Sequence, residues 1–254
     1  MIVKNLSALV VVGLLAGTAF CESIVVYDSQ GFERFTLGSA VGQTEGFTIN
    51  EKAQEGGIFS SGEKCDDDVL TIEEVDGHGR VLALNKISGG WSDAFLDLGW
   101  RGDLSDPAFK GETKYIHLTF DFYDSGVSGG GLYVYRGKER ASLQAKVWLQ
   151  NPLKMQMRLD DPTEPWEALD VQPGSYKKGE WHSFALIMIW EDSHPQVKVF
   201  IDDEELLYRG EPTDWFSPWN GILGWFDSIR FSCLTRKPMY FDNIKVVYSD
   251  SETP

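Results

Sequence analysis

The chain has no hydrophobic run long enough to cross a bilayer. The longest, from Leu6 to Leu15, falls well short of the about 20 apolar residues a helical span needs. Positive charge is also scarce, with 23 Lys and Arg against 39 Asp and Glu for a formal net charge of -16. A general grip on nucleic-acid phosphates or on an anionic membrane surface needs clustered positive charge, so both partners are excluded as the main function. There are only 3 Cys and 4 dispersed His, which gives no zinc-binding spacing. Gly129-Gly130-Gly131 is not followed by the Lys-Ser/Thr of a phosphate-binding loop. No repeat, linker or low-complexity tract is visible, and no organic cofactor is implied.

The first 21 residues read as a secretory signal peptide. Lys4 supplies a positive start, the apolar run follows, and Ala16, Gly17, Thr18 and Ala19 supply small residues before cleavage beside Ala19 or Cys21. Cys21 invites a lipid-anchor reading, against which Phe20 stands where a small residue is wanted. The expected location is secreted, periplasmic or cell-envelope, without stable membrane insertion. Cys65 and Cys233 then sit in an oxidising compartment, where they pair if their Cα atoms come within about 4.4–6.8 Å, and otherwise behave as small buried hydrophobes.

Helical periodicity is missing after residue 23, whereas stretches of period two recur between Gly, Pro, Asp and Asn clusters. Residues 69–75 and 80–86 flank Asp76-Gly77-His78-Gly79, a hairpin signal. Further strands are expected at 114–123, 131–135, 145–150, 154–159, 181–190, 196–201, 227–232 and 240–248. So many strands require an all-β fold of two antiparallel sheets packed face to face. The expected organisation is one domain over 22–248, with a polar tail at 249–254 that frays.

Three segments carry a family resemblance. Gly31-Phe32-Glu33-Arg34-Phe35-Thr36-Leu37-Gly38 with Gly42-Gln43 resembles the opening strand, and Tyr240-Phe241-Asp242-Asn243-Ile244-Lys245-Val246 the closing strand, of concanavalin A-like or laminin-G-like jelly-roll domains. Trp181-His182-Ser183-Phe184-Ala185-Leu186, leading to Val197-Lys198-Val199-Phe200-Ile201-Asp202-Asp203-Glu204, is similar to their paired strands ending in an acidic turn. The resemblance implies a jelly-roll β-sandwich and a carbohydrate ligand. It also implies a structural calcium held by Glu33 and Asp242, with Asn243 as a further ligand, pinning the terminal strands through hard oxygen donors. The Glu-x-Asp-x-x-Glu strand of one hydrolase family of this fold is absent. Asp202, Asp203, Glu204 and Glu205 are consecutive, alternate between faces, and read as a solvated turn.

Alternation assigns the remaining faces. Tyr115, His117, Thr119 and Asp121, then Tyr133 and Tyr135, then Lys146, Trp148 and Gln150, then Lys154, Gln156 and Arg158 each occupy the polar side of a strand. If those strands are neighbours, their wet faces combine into an aromatic and basic groove. Indole and phenol rings pack on the apolar face of a pyranose, Gln supplies directed hydrogen bonds, and Arg offers a planar fork to a uronate or sulfate. The expected partner is therefore a polysaccharide, with an anionic one suited to the basic residues. The alternatives are a lyase acting by β-elimination and an adhesive envelope protein. A lyase would use Tyr115, His117, Gln156 and Arg158, residue types similar to those of jelly-roll alginate lyases: a neutralising group for the carboxylate and a Tyr or His for proton transfer. His182 reads as structural, and His78 and His194 as solvated. Trp166, Trp215, Trp219 and Trp225 either rim the groove or hold loops down.

Overall fold

A computed structural model describes residues 23–43, 57–61, 67–85, 92–98, 115–123, 130–135, 143–149, 154–157, 167–170, 177, 179–191, 194–208, 211–212, 228–233 and 237–253. For 133–135, 143–149 and 154–157 the description is of the backbone. Among the described residues, eighteen strands form two nine-stranded antiparallel sheets. The first contains β1 (Ser23–Asp28), β2 (Gly38–Ser39), β4 (Leu70–Val75), β5 (Gly79–Leu84), β7 (Tyr115–Tyr123), β12 (Trp181–Glu191), β13 (His194–Ile201), β14 (Glu204–Glu205) and β18 (Met239–Ser249). The second contains β3 (Ile58–Ser61), β6 (Ser92–Asp97), β8 (Gly130–Tyr135), β9 (Leu143–Leu149), β10 (Lys154–Met157), β11 (Glu167–Asp170), β15 (Leu207–Tyr208), β16 (Glu211–Pro212) and β17 (Ser228–Cys233). The fold is the all-β, two-sheet sandwich that the period-two pattern requires.

The first sheet runs β14-β13-β12-β7-β18-β5-β4-β2, with β1 also pairing β18; the second runs β16-β15-β11-β10-β9-β8-β17-β6-β3. Alternating apolar residues fill the space between them. Ile116, Leu118, Phe120 and Phe122 of β7 are all buried, as are Ile229 and Phe231 of β17. Phe231 joins the layers, with its ring centroid 6.2 Å from Phe120 and 4.7 Å from Phe241 of β18. Each such ring contributes about 1.5–3 kcal/mol by leaving water, which is why the strands hold their register. Cys233 is buried in this core, its Sγ 3.9 Å from the Lys237 carbonyl oxygen. Cys65 lies outside the described residues.

The β4–β5 hairpin forms at the expected place, closed by the His78 amide donating to the Val75 carbonyl at 2.9 Å. The opening motif differs. The strand that opens the sheet is Ser23–Asp28, and Glu33 lies in the turn after it. Gln30, Gly31 and Phe32 sit at φ of 51°, 65° and 57°, a left-handed run that ends the strand. The buried Phe32 ring anchors this turn, 5.0 Å from Phe35 and 6.0 Å from Phe59. β18 takes two partners along one edge: residues 23–28 pair with 245–249, and 82–84 with 239–241. The turn fills the gap between them, against a bulge at Asp242–Lys245.

The polar tail runs back against the first sheet. Ser251 accepts a hydrogen bond at its carbonyl oxygen from His117 Nε2 at 3.0 Å, and Glu252 pairs with Lys198 Nζ at 2.7 Å.

Candidate functional site

Strands β10, β9, β8, β17 and β6 lie side by side in the second sheet, so three of the segments expected to share a groove are neighbours. Leu132, Phe231 and Ala94 stand opposite one another and are buried, which marks their row as core-facing. The rows on either side therefore belong to the outer face. In one of them Lys146, Tyr133, Arg230 and Phe95 are opposite one another across β9, β8, β17 and β6. In the other, Lys154, Trp148, Gly131, Ser232 and Asp93 align across β10 to β6. Gln156 follows two residues beyond Lys154 on β10. Tyr135 stands after a bulge opposite Leu143. Gln150, Arg158, Trp166, Trp215, Trp219 and Trp225 lie outside the described residues.

Arg230 and Phe95 extend this face beyond the three strands that alternation singled out. The Arg230 guanidinium is held by Asp93, Nε to Oδ1 at 3.0 Å and Nη2 to Oδ2 at 2.6 Å, and lies 5.8 Å from the Phe95 ring centroid. A forked ion pair over a ring is a rigid mount for a cation. The signal for Arg230 was present in the alternation of residues 228–233, where it is the single charged residue in an otherwise small or apolar strand.

Of the four residues suited to elimination, the three that are described fall in different sheets. Tyr115 and His117 lie on β7 of the first sheet, while Gln156 lies on β10 of the second. His117 sits on the outward register of β7 but is only 1 % exposed, because the tail covers it. Burial lowers its pKa, opposed by the Ser251 carbonyl and by Glu252. Its Nδ1 is buried without a hydrogen-bond partner. His117 is thus covered by the tail, in the sheet opposite β8, β9 and β10.

Around the β18 bulge the carbonyl of Ile244 accepts from the Ser29 amide at 2.8 Å. Asp242 is buried, and its carboxyl is raised above the ordinary range by desolvation and by the nearby Asp121 and Glu33 charges, against the Asn243 amide bond and the His78 charge. Asp242 Oδ1 and Asn243 Oδ1 both approach the α-carbon side of Gly31, where a Cβ would meet them at 3.7 and 3.5 Å. These two oxygens suit a hard cation. Glu33 is turned to β5, its Oε1 accepting from the Arg80 amide at 3.3 Å, while Arg80 Nη1 donates to the Glu33 carbonyl at 3.1 Å. No group of three His, Cys, Asp or Glu side chains able to hold a metal is present among the described residues.

The acidic turn after β13 does more than face solvent. Asp202 and Asp203 occupy the left-handed region at φ of 51° and 64°. This brings Asp202 Oδ2 to 2.7 Å from His182 Nδ1 and Oδ1 to 2.9 Å from the Ser183 amide. His182 Nε2 lies 2.8 Å from the Lys177 carbonyl, so both ring nitrogens are engaged and the side chain is structural. His78, expected in solvent, stacks on Trp181 with ring centroids 4.1 Å apart.

No family model matches the chain, and no curated protein matches it. Solved structures with a similar chain path include lectins, a carbohydrate-binding module and binding domains of botulinum neurotoxin. Lectin II from Ulex europaeus is 12% identical with a TM-score of 0.44, over 80% of this chain and 95% of that one. A carbohydrate-binding module from Bacillus subtilis is 10% identical with a TM-score of 0.38, over 73% and 92%. A protein described as a glycosyl hydrolase, from Parabacteroides distasonis, is 16% identical with a TM-score of 0.39, over 74% and 98%. No helix among the described residues is long and apolar enough to cross a membrane.

Proposed function

We propose that the protein is exported and binds a polysaccharide, without cleaving it, on the outer face of its second sheet. The observation that carries this reading is the register that lines up Lys146, Tyr133, Arg230 and Phe95 in one row and Lys154, Trp148 and Asp93 in the next. The residue types in these rows suit the apolar side of successive sugars and their charged substituents. Three cations in two adjacent rows favour a uronate or sulfated chain. Elimination has less support, since Tyr115 and His117 belong to the other sheet. A calcium ion held by Asp242 and Asn243 together with backbone carbonyls would brace the β18 bulge.

The reading is tested by incubating the protein with alginate, pectin, ulvan and sulfated galactan. Ultraviolet absorbance reports an unsaturated product, and retention on the immobilised glycan reports binding. Retention without product is expected. Product formation would establish a lyase, and retention on none of them would favour an envelope protein whose partner is another protein.

A further inference from the structure

The outer face of the first sheet, on the far side of the sandwich from the basic rows, carries an aromatic ladder with no role so far. Trp181 of β12, Tyr123 of β7 and Tyr240 of β18 stand opposite one another in register. The Tyr123 ring centroid is 5.8 Å from Trp181 and 6.0 Å from Tyr240, each pair tilted by 52°. Their sequence neighbours Phe122, His182 and Phe241 are buried in the opposite direction, while the three ladder residues are each part-exposed. Three large rings side by side on adjacent strands, each part-exposed, leave apolar area that a flat partner would cover favourably. At one end of the ladder the β4–β5 turn stacks His78 on one face of the Trp181 indole, which leaves the other face and the ring edge for a partner.

The next row along the same strands is polar: Ser183, Asp121 and Asp242 are opposite one another. It borders an open depression of about 170 Å3 lined by Thr119, Asp121, Ser183, Phe200, Asp203 and Asn243 among others. Asn243 Nδ2 donates to Asp121 Oδ2 at 2.7 Å, which fixes the carboxylate and leaves its second oxygen to accept. Ser183 and Asp203 are exposed. Rings in one row and hydroxyl, amide and carboxylate groups in the next match the two sides of a pyranose. The described lining of the depression holds two carboxylates and neither Lys nor Arg, so a uronate or sulfate would be repelled.

We propose that this ladder and depression form a second glycan site, selective for an uncharged sugar, with a pyranose ring on Trp181 and Tyr123 and its hydroxyls on Asp121, Ser183 and Asp203. The molecule would then contact acidic and neutral glycans on opposite faces and could bridge two kinds of chain. The site is independent of the basic face in residues, in sheet and in charge preference.

The test is affinity electrophoresis of the full chain in gels containing neutral glucan, mannan or galactan, with alginate in parallel. Retardation by at least one neutral glycan is expected. Trp181→Ala and Ser183→Trp should each weaken it at least tenfold, while Trp148→Ala leaves it unchanged. Ser183 is exposed and its amide bond to Asp202 survives substitution, so Ser183→Trp fills the depression without touching the core. No retardation by any of the three neutral glycans would overturn the proposal. So would a Ser183→Trp protein that binds like the parent, whatever Trp181→Ala does. Loss of alginate binding in Trp148→Ala, with neutral binding intact, would show that the two faces act separately.

Discussion

Arg230 and Asp93 reach across β17 and β6 to form a forked pair, with side chains only 17% and 21% exposed. The pair fixes Arg230 between Tyr133 and Phe95 in its row of the second sheet's outer face. Asp93→Ala should lower stability by about 2 kcal/mol in chemical denaturation, since a guanidinium held this far from solvent loses its charged acceptor. The same variant should bind acidic glycans more tightly, because a competing carboxylate has gone. Weaker binding in a protein that remains folded would mean that Arg230 needs Asp93 to present it.

His182 and Asp202 form the second forked arrangement, and here the outcome is stability alone. Asp202→Ala should cost about 1–3 kcal/mol by leaving the buried His182 Nδ1 without this acceptor, and His182→Ala a similar amount by removing a buried, hydrogen-bonded ring. Their combination should cost clearly less than the sum, because both remove one shared contact. Additive losses in a double-mutant cycle would show that the 2.7 Å contact contributes little.

His117 predicts a pH dependence of definite sign. Its folded pKa is lowered from 6.5, chiefly by burial, so the unfolded chain holds the proton more firmly. Its contribution to stability is therefore complete above pH 6.5 and is lost as pH falls through the lowered folded value. Thermal melts should show a decline on acidification that shrinks in His117→Gln. An identical decline in the variant would place the pH sensitivity elsewhere.

Asp242 and Asn243 make calcium testable without any glycan. Added calcium should raise Tm and a chelator should reverse the rise, because a ligand that binds only the folded state stabilises by mass action. Asp242→Asn should abolish the response. A Tm indifferent to both calcium and chelator would contradict a bound ion at the β18 bulge.

The layers of the fold were legible in the sequence because burial in a sandwich imposes a period of two, and residues 116, 118 and 120 obey it. Strand order was not, since nothing local in 115–123 says that its hydrogen-bond partners are β12 and β18 and not β8. That gap joined Tyr115 and His117 to residues of the other sheet. The motif at Gly31–Gly38 looked extended but turns, because three consecutive left-handed residues are stabilised by the packing of Phe32, which no short-range pattern reports. Composition gave the tail as loose; its Ser251 and Glu252 contacts depend on partners more than 50 residues away. Alternation puts Trp181 and the buried His182 on opposite faces. The three-ring ladder needs register as well as alternation.

The account rests on the second sheet's outer face being the acidic-glycan surface, and Trp148 sits in the middle of its strands. The direct measurement is titration calorimetry of parent and Trp148→Ala protein with the acidic glycan that the parent retains best. At least a tenfold loss of affinity, about 1.4 kcal/mol, is predicted at unchanged Tm. Equal affinity in the two proteins would contradict the account.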